Sequence, residues 1–260
     1  MIFAVNIESV YSTQDFIKGM EEAKQIGFHA IEFWSWWDKN LHEIYVASQR
    51  LQLTIAGIVT KFISLTDPSQ RQEYIDGLRQ TIEVAKRLEC KTIISQVGQE
   101  IPTVPRREQH RSIVEGLKAC VPFLEEAGIM LVIEPLNTLV DHEGYYLDSA
   151  KEGFEIIDEV NSPYVKVLYD IYHMQIMEGN IISTITNHID NIGYFHIAGV
   201  PGRHEPYTGE LYYINIFKAI KETGFNGYIG LEYFPLENPK LSLTRFLEWV
   251  KTEGLVSSNI

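Results

Sequence analysis

The sequence predicts a single (β/α)8 TIM barrel of the α/β class. Three observations carry that expectation. The chain has 260 residues, close to the roughly 250 typical of one eight-fold barrel. Short β-branched or aromatic runs alternate with longer amphipathic stretches along its length, the rhythm of repeated βα units. No Pro/Gly/Ser-rich linker interrupts that rhythm, so residues 1–260 read as one domain.

In chain order, strands are expected over 2–7, 30–34, 54–59, 92–97, 130–134, 165–171, 193–198 and 228–234. Several of these runs are apolar throughout, as parallel strands covered on one face and packed on the other require. Helices are expected over 13–26, 41–51, 69–88, 106–127, 149–160, 180–188, 214–222 and 241–251. Their punctuation agrees. Asp15 opens the first helix and Gly27 follows it, Asp67-Pro68-Ser69 precedes the third, and Gly128 and Gly224 close the fourth and seventh. The structural rival, a doubly wound open sheet, brings a Gly-rich nucleotide loop. No Gly-x-Gly-x-x-Gly is present.

Composition bounds the function. Apolar residues make up 45% of the chain, an ordinary share for a globular domain, and no run approaches the ~20 residues that span a bilayer. The opening Met-Ile-Phe-Ala-Val-Asn-Ile reads as a strand and lacks a secretory signal pattern, so a cytoplasmic protein without a membrane partner is expected. A net charge of −13 repels phosphate backbones. Nucleic acid is therefore not an expected partner, and a small-molecule substrate is. Cys90 and Cys120 lie in or beside apolar stretches and read as reduced core residues. Tryptophan- and tyrosine-rich loops (34–37, 145–146, 212–213) are more than one pocket needs, which suggests a homo-oligomer, a dimer or tetramer.

Barrel enzymes carry their chemistry at the C-terminal ends of the strands. Here those ends hold Glu134 in Val-Ile-Glu-Pro, Asp170 in Leu-Tyr-Asp-Ile, His196 in Tyr-Phe-His-Ile and Glu232 in Gly-Leu-Glu-Tyr. Each alone has an ordinary explanation: a helix cap, a core histidine, a salt-bridge partner. On four successive strands they read as one divalent-metal site, because three carboxylates and an imidazole repel one another without a cation between them. The donor set admits Mg, Mn, Co or Zn. His173, three residues after Asp170, is expected to reach a substrate oxygen. In the loop after the seventh strand, Arg203 suits a planar carboxylate, and the competing reading is an ion pair with Glu205. Glu32 with Trp34, Trp36 and Trp37 closes the second strand and either walls a pocket or packs structurally.

Over about 130–234 the sequence resembles the hydroxypyruvate isomerase family of the xylose-isomerase-like barrel superfamily. The likeness is carried by Ile133-Glu134-Pro135-Leu136-Asn137, 141–147 (DHEGYYL), 168–175 (LYDIYHMQ), 200–206 (VPGRHEP) and 209–211 (GEL). That resemblance implies metal binding by Glu134, Asp170 and Glu232, proton transfer by the two glutamates as the catalytic pair, and substrate contacts by His173 and Arg203, with Glu205 in the same loop. It implies an aldose–ketose type isomerase that acts on hydroxypyruvate, tartronate semialdehyde or a related short sugar or keto acid through an enediolate. His196 departs from the family, which carries glutamine there; ketose 3-epimerases of the superfamily carry a metal-binding histidine. Those epimerases place a second glutamate six residues after the first, and Val140 stands there. The alternatives are therefore a ketose 3-epimerase and, behind it, a metal-dependent lyase or endonuclease or a non-catalytic sugar-binding barrel.

Overall fold

A computed structural model describes residues 1–255. Eight parallel strands close in sequence order, each hydrogen-bonded to its neighbours and the eighth to the first. They are β1 (Ile2–Asn6), β2 (Ala30–Phe33), β3 (Thr54–Val59), β4 (Thr92–Ser95), β5 (Met130–Ile133), β6 (Val165–Asp170), β7 (Ile192–Ile197) and β8 (Tyr228–Leu231). The long outer helices are α2 (Phe16–Ile26), α3 (Leu41–Leu51), α4 (Arg71–Arg87), α5 (Arg106–Ala127), α6 (Ala150–Val160), α8 (Ile181–His188), α9 (Tyr213–Glu222) and α10 (Pro239–Thr252). The expected (β/α)8 barrel is the observed one.

Local chemistry explains the helix starts. The Asp15 carboxylate accepts from the Lys18 N–H at 3.0 Å, and the Ser149 hydroxyl accepts from the Glu152 N–H at 3.1 Å. Each is a cap worth about 1 kcal/mol. Gly27 and Gly128 end α2 and α5 in the left-handed conformation.

Two further short helices were not expected. The first, α1 (Ile7–Val10), follows β1 directly, and α7 (Ile171–Met177) follows β6 directly. Asn6 caps α1 and Asp170 caps α7. The strand expected over 165–171 therefore ends one residue early, because Asp170 turns the chain into a helix. Likewise β5 stops at Ile133, just before Glu134, and β8, expected to run to 234, stops at Leu231, just before Glu232.

The core has two parts. A large apolar shell, including Phe3, Val5, Ile31, Phe33, Leu131 and Ile133, lies between strands and helices. A small inner cluster (Ala4, Ala30, Ala56, Val59, Ile94, Val132, Leu168, Tyr194) fills the barrel. Side chains alternate along a strand. The residue two places after each inner one therefore also faces inward, one layer nearer the C-terminal mouth. From Ala4, Ala30, Val132, Leu168 and Tyr194 that step gives Asn6, Glu32, Glu134, Asp170 and His196, all buried. The polar layer is thus a direct product of strand periodicity. Among the described residues, no helix is long and apolar enough to cross a membrane.

Candidate active site

Glu134, Asp170, His196 and Glu232 converge at the mouth of the barrel, each offering one ligand atom, with all four atoms within 4.8 Å of one another. None is more than 5% exposed. His196 sits centrally. Its Nδ1 is 3.2 Å from Glu134 Oε1, 3.4 Å from Glu232 Oε2 and 3.9 Å from Asp170 Oδ2. Strand register produces part of this closeness, since Asp170 on β6 pairs directly with His196 on β7. Backbone bonds hold the two glutamates past their strand ends: Glu134 N–H donates to Ser95 O at 3.2 Å, and Glu232 N–H to Ile197 O at 3.3 Å. Tyr145 adds a brace, its hydroxyl donating to Glu134 O at 3.1 Å and accepting from Val97 N–H at 2.8 Å.

Asp170 has two jobs. Its Oδ1 accepts from the N–H groups of Tyr172 (2.8 Å) and His173 (3.2 Å) as the cap of α7. Its Oδ2 remains for the cluster. Behind it, His173 is fully buried. Its Nδ1 accepts from the Asn137 N–H at 3.2 Å, which places the ring proton on Nε2, 3.5 Å from Asp170 Oδ2. Asn137 is fixed in turn by Asp141, whose carboxylate accepts from its side-chain amide at 2.7 Å and from the Tyr172 hydroxyl at 2.8 Å.

Arg203 lies in the loop after β7. The sequence offered Glu205 as its ion-pair partner, but the guanidinium binds Glu232 Oε2 instead. Glu205 turns away from the cavity lining, its Oε1 accepting from the Leu236 N–H at 3.1 Å. The loop packs closely enough to need glycine at 199, because a Cβ there would meet Glu205 O at 2.7 Å. Trp34 lines the cavity and donates its Nε1–H to Glu232 Oε1 at 2.5 Å.

The cavity above the cluster measures about 310 Å³, at the small end for ligand pockets. Val59, Phe62, Ile94 and Leu136 wall it, so the charged floor faces an apolar chamber. Sequence reasoning missed His142, Gln96 and Glu8 in this lining. All three belong to loops or to the unexpected α1, where periodicity gives no signal.

Electrostatics separate the two glutamates. Burial pushes the Glu134 carboxyl above its ordinary value against the pull of His196. Burial likewise raises Asp170 to about 7. Glu232 goes the other way: burial disfavours its charge, but His196 and Arg203 outweigh that and hold it well below the usual carboxylate range. Burial also disfavours the His196 cation, yet Glu32 and Glu232 keep its pKa well above that of free imidazole. For His173, burial and then Arg203 depress the pKa, so it is neutral at pH 7.

The donor set suits a divalent cation. Four buried carboxylates, Glu32 included, outnumber the two cations His196 and Arg203. Three carboxylate oxygens and one imidazole nitrogen already point at a common centre, a mix suited to Mg²⁺, Mn²⁺, Co²⁺ or Zn²⁺. Binding would displace protons from His196, held well above free imidazole, and from Asp170, raised to about 7. Mn²⁺ affinity is therefore expected to tighten from pH 6 to 8, about tenfold per pH unit for each proton displaced. Calorimetric titration in buffers of different ionisation heat measures that release, and a pH-independent Kd would contradict it.

Comparison with known proteins agrees with this geometry. A family model described as "Xylose isomerase-like TIM barrel" matches residues 20–252. The chain belongs to that family, within its hydroxypyruvate isomerase group. It is 33% identical to hydroxypyruvate isomerase from Escherichia coli (strain K12), over 90% of this chain and 93% of that one. It is 28% identical to a 2-oxo-tetronate isomerase from Cupriavidus necator, over 96% of this chain and 97% of that protein. A solved structure described as an AP endonuclease, family 2, from Brucella melitensis superposes with a TM-score of 0.88 at 25% identity, covering 95% of this chain and 98% of that one.

Proposed function

We propose that this isomerase-family enzyme interconverts hydroxypyruvate and tartronate semialdehyde, or a closely related short 2-oxo acid, by passing a proton between adjacent carbons with Glu134 and Glu232. The observation that carries the reading is the placement of the two glutamates. Both approach His196 Nδ1, at 3.2 and 3.4 Å, on the floor of a small apolar cavity. A substrate carbon lying above Nδ1 is within reach of both carboxylates.

One glutamate removes a proton from the hydroxymethyl carbon, and the electron pair left behind becomes the carbon–carbon double bond of an enediolate. The hydroxyl proton moves to the former carbonyl oxygen. A proton is then returned to the former carbonyl carbon, which leaves an aldehyde at the other end. Glu134 suits the base role, because burial has made it the more basic of the two. Glu232, fixed by Trp34 and Arg203, suits proton exchange with the substrate oxygens. A divalent cation held by Glu134, Asp170, His196 and Glu232 supplies positive charge for the oxygen anion that develops. Arg203 keeps its buried Nε free of protein partners, a donor for a substrate carboxylate. His173 presents its Nε2–H beside Asp170 and orients a substrate oxygen. Glu205 contributes by fixing the loop that carries Arg203.

His196 in the cluster favours a second reading, a ketose 3-epimerase. Val140 weighs against it, since its side chain is 69% exposed and offers no acid to the site. A charge of −13 weighs against a nucleic-acid substrate. Turnover of hydroxypyruvate in heavy water tests the main reading, followed by nuclear magnetic resonance of the product. Deuterium is expected at the former carbonyl carbon. Isomerisation without deuterium would show a hydride shift, and inversion of a ketose with no action on hydroxypyruvate would favour the epimerase.

A further inference from the structure

The imidazole of His196 has two faces, and the ligand set occupies one of them. On the Nδ1 side stand Glu134, Asp170 and Glu232. On the opposite side, Glu32 Oε1 lies 3.0 Å from His196 Nε2. Glu32 is 1% exposed, and both of its oxygens are engaged. Asn6 Nδ2 on β1 donates to Oε1 at 3.2 Å, and the Tyr194 hydroxyl on β7 donates to Oε2. Asn6 is itself fixed, because its Oδ1 caps α1 by accepting from the Ser9 N–H at 3.0 Å.

A buried carboxylate is expensive unless something requires it. Four strands here cooperate to keep this one. On β8, Gly230 pairs in register with His196. A Cβ there would lie 2.6 Å from both Glu32 Oε2 and His196 Cδ2, so an absent side chain makes the room in which carboxylate and ring meet. Glu32 cannot reach the common centre of the four ligand atoms, since the imidazole ring stands between. Its effect on that centre must pass through His196.

We propose that Glu32 is a positioning residue for the cation site: its carboxylate, 3.0 Å from His196 Nε2, favours the ring proton on that nitrogen and leaves the Nδ1 lone pair facing Glu134, Asp170 and Glu232. The inference rests on the reading of those four residues as a cation site. An outer carboxylate of this kind raises the basicity of the ligating imidazole and sets its tautomer, and its loss typically weakens metal binding by about 10- to 100-fold. Tyr194 and Asn6 hold the carboxylate against rotation, so Tyr194→Phe should have the same effect in smaller measure.

Calorimetric titration of chelator-treated protein with Mn²⁺ tests this on wild type, Glu32→Gln and Tyr194→Phe, with circular dichroism confirming the fold. The expected result is one Mn²⁺ per wild-type chain, a Kd at least about tenfold weaker in Glu32→Gln, and an intermediate value in Tyr194→Phe. An unchanged Kd in a folded Glu32→Gln overturns the role of Glu32 while leaving the cation site intact. A wild type that binds no Mn²⁺ overturns the cation site itself, and the role of Glu32 with it. A second measurement needs no variant. In the Zn²⁺-loaded wild type, ¹⁵N spectra of the histidine side chains should show His196 protonated on Nε2 and metal-bound through Nδ1; the reverse assignment overturns the proposal.

Discussion

Glu134→Gln and Glu232→Gln each lower kcat on hydroxypyruvate by about three orders of magnitude while the barrel stays folded. General acid–base groups typically contribute about 10²- to 10⁴-fold, and both glutamates also belong to the proposed ligand set, so the upper half of that range is expected. The two variants differ in stability. Glu134 is a carboxylate whose charge burial already disfavours. Its amide should leave the metal-free Tm unchanged or raised. Glu232 is the partner of a buried Arg203, and removing one member of such a pair costs about 3–5 kcal/mol. Glu232→Gln should therefore lower Tm as well as rate. Steady-state kinetics and thermal melts on both variants check this. Near-wild-type kcat in either would remove that glutamate from proton transfer.

The second large effect is loss of activity on chelation. Stripping divalent cations should reduce turnover to background, a fall of at least about a thousandfold given the several kcal/mol that a cation supplies to a developing oxyanion. Adding back one equivalent of Mn²⁺ should restore it. Asp170→Asn should resist restoration at that concentration, because Asp170 Oδ2 points into the cluster while Oδ1 is committed to capping α7. Full activity in the presence of excess chelator would leave the acids without their proposed cation.

The barrel was legible in the sequence because burial imposes a period. Apolar strand runs and capped amphipathic helices place all eight strands to within a few residues, and the 41–51 and 106–127 helices match at both ends. The misplaced ends have a common cause. At Asp170, Glu134 and Glu232 the chain leaves the sheet so that side chains can gather at the mouth, and a run of apolar letters carries no mark of that departure. Convergence of the four predicted ligands follows from strand order alone, which is why they could be picked out without coordinates. Pairings across the barrel were not legible. Arg203 chose Glu232, 29 positions away, over Glu205 two positions away, because Glu205 is committed to the Leu236 N–H in the loop after β8. Glu32 drew notice only as a neighbour of tryptophans; its partner His196 is 164 residues distant. What relates them is that both face inward, with a glycine on β8 opening the space between.

The most direct measurement is a crystal of this protein grown with Mn²⁺, its anomalous difference density located. One strong peak is expected about 2.0–2.3 Å from a carboxylate oxygen each of Glu134, Asp170 and Glu232 and from Nδ1 of His196. At saturating Mn²⁺, a peak elsewhere, or no peak while Arg203 still clasps Glu232, would contradict the proposed cation site.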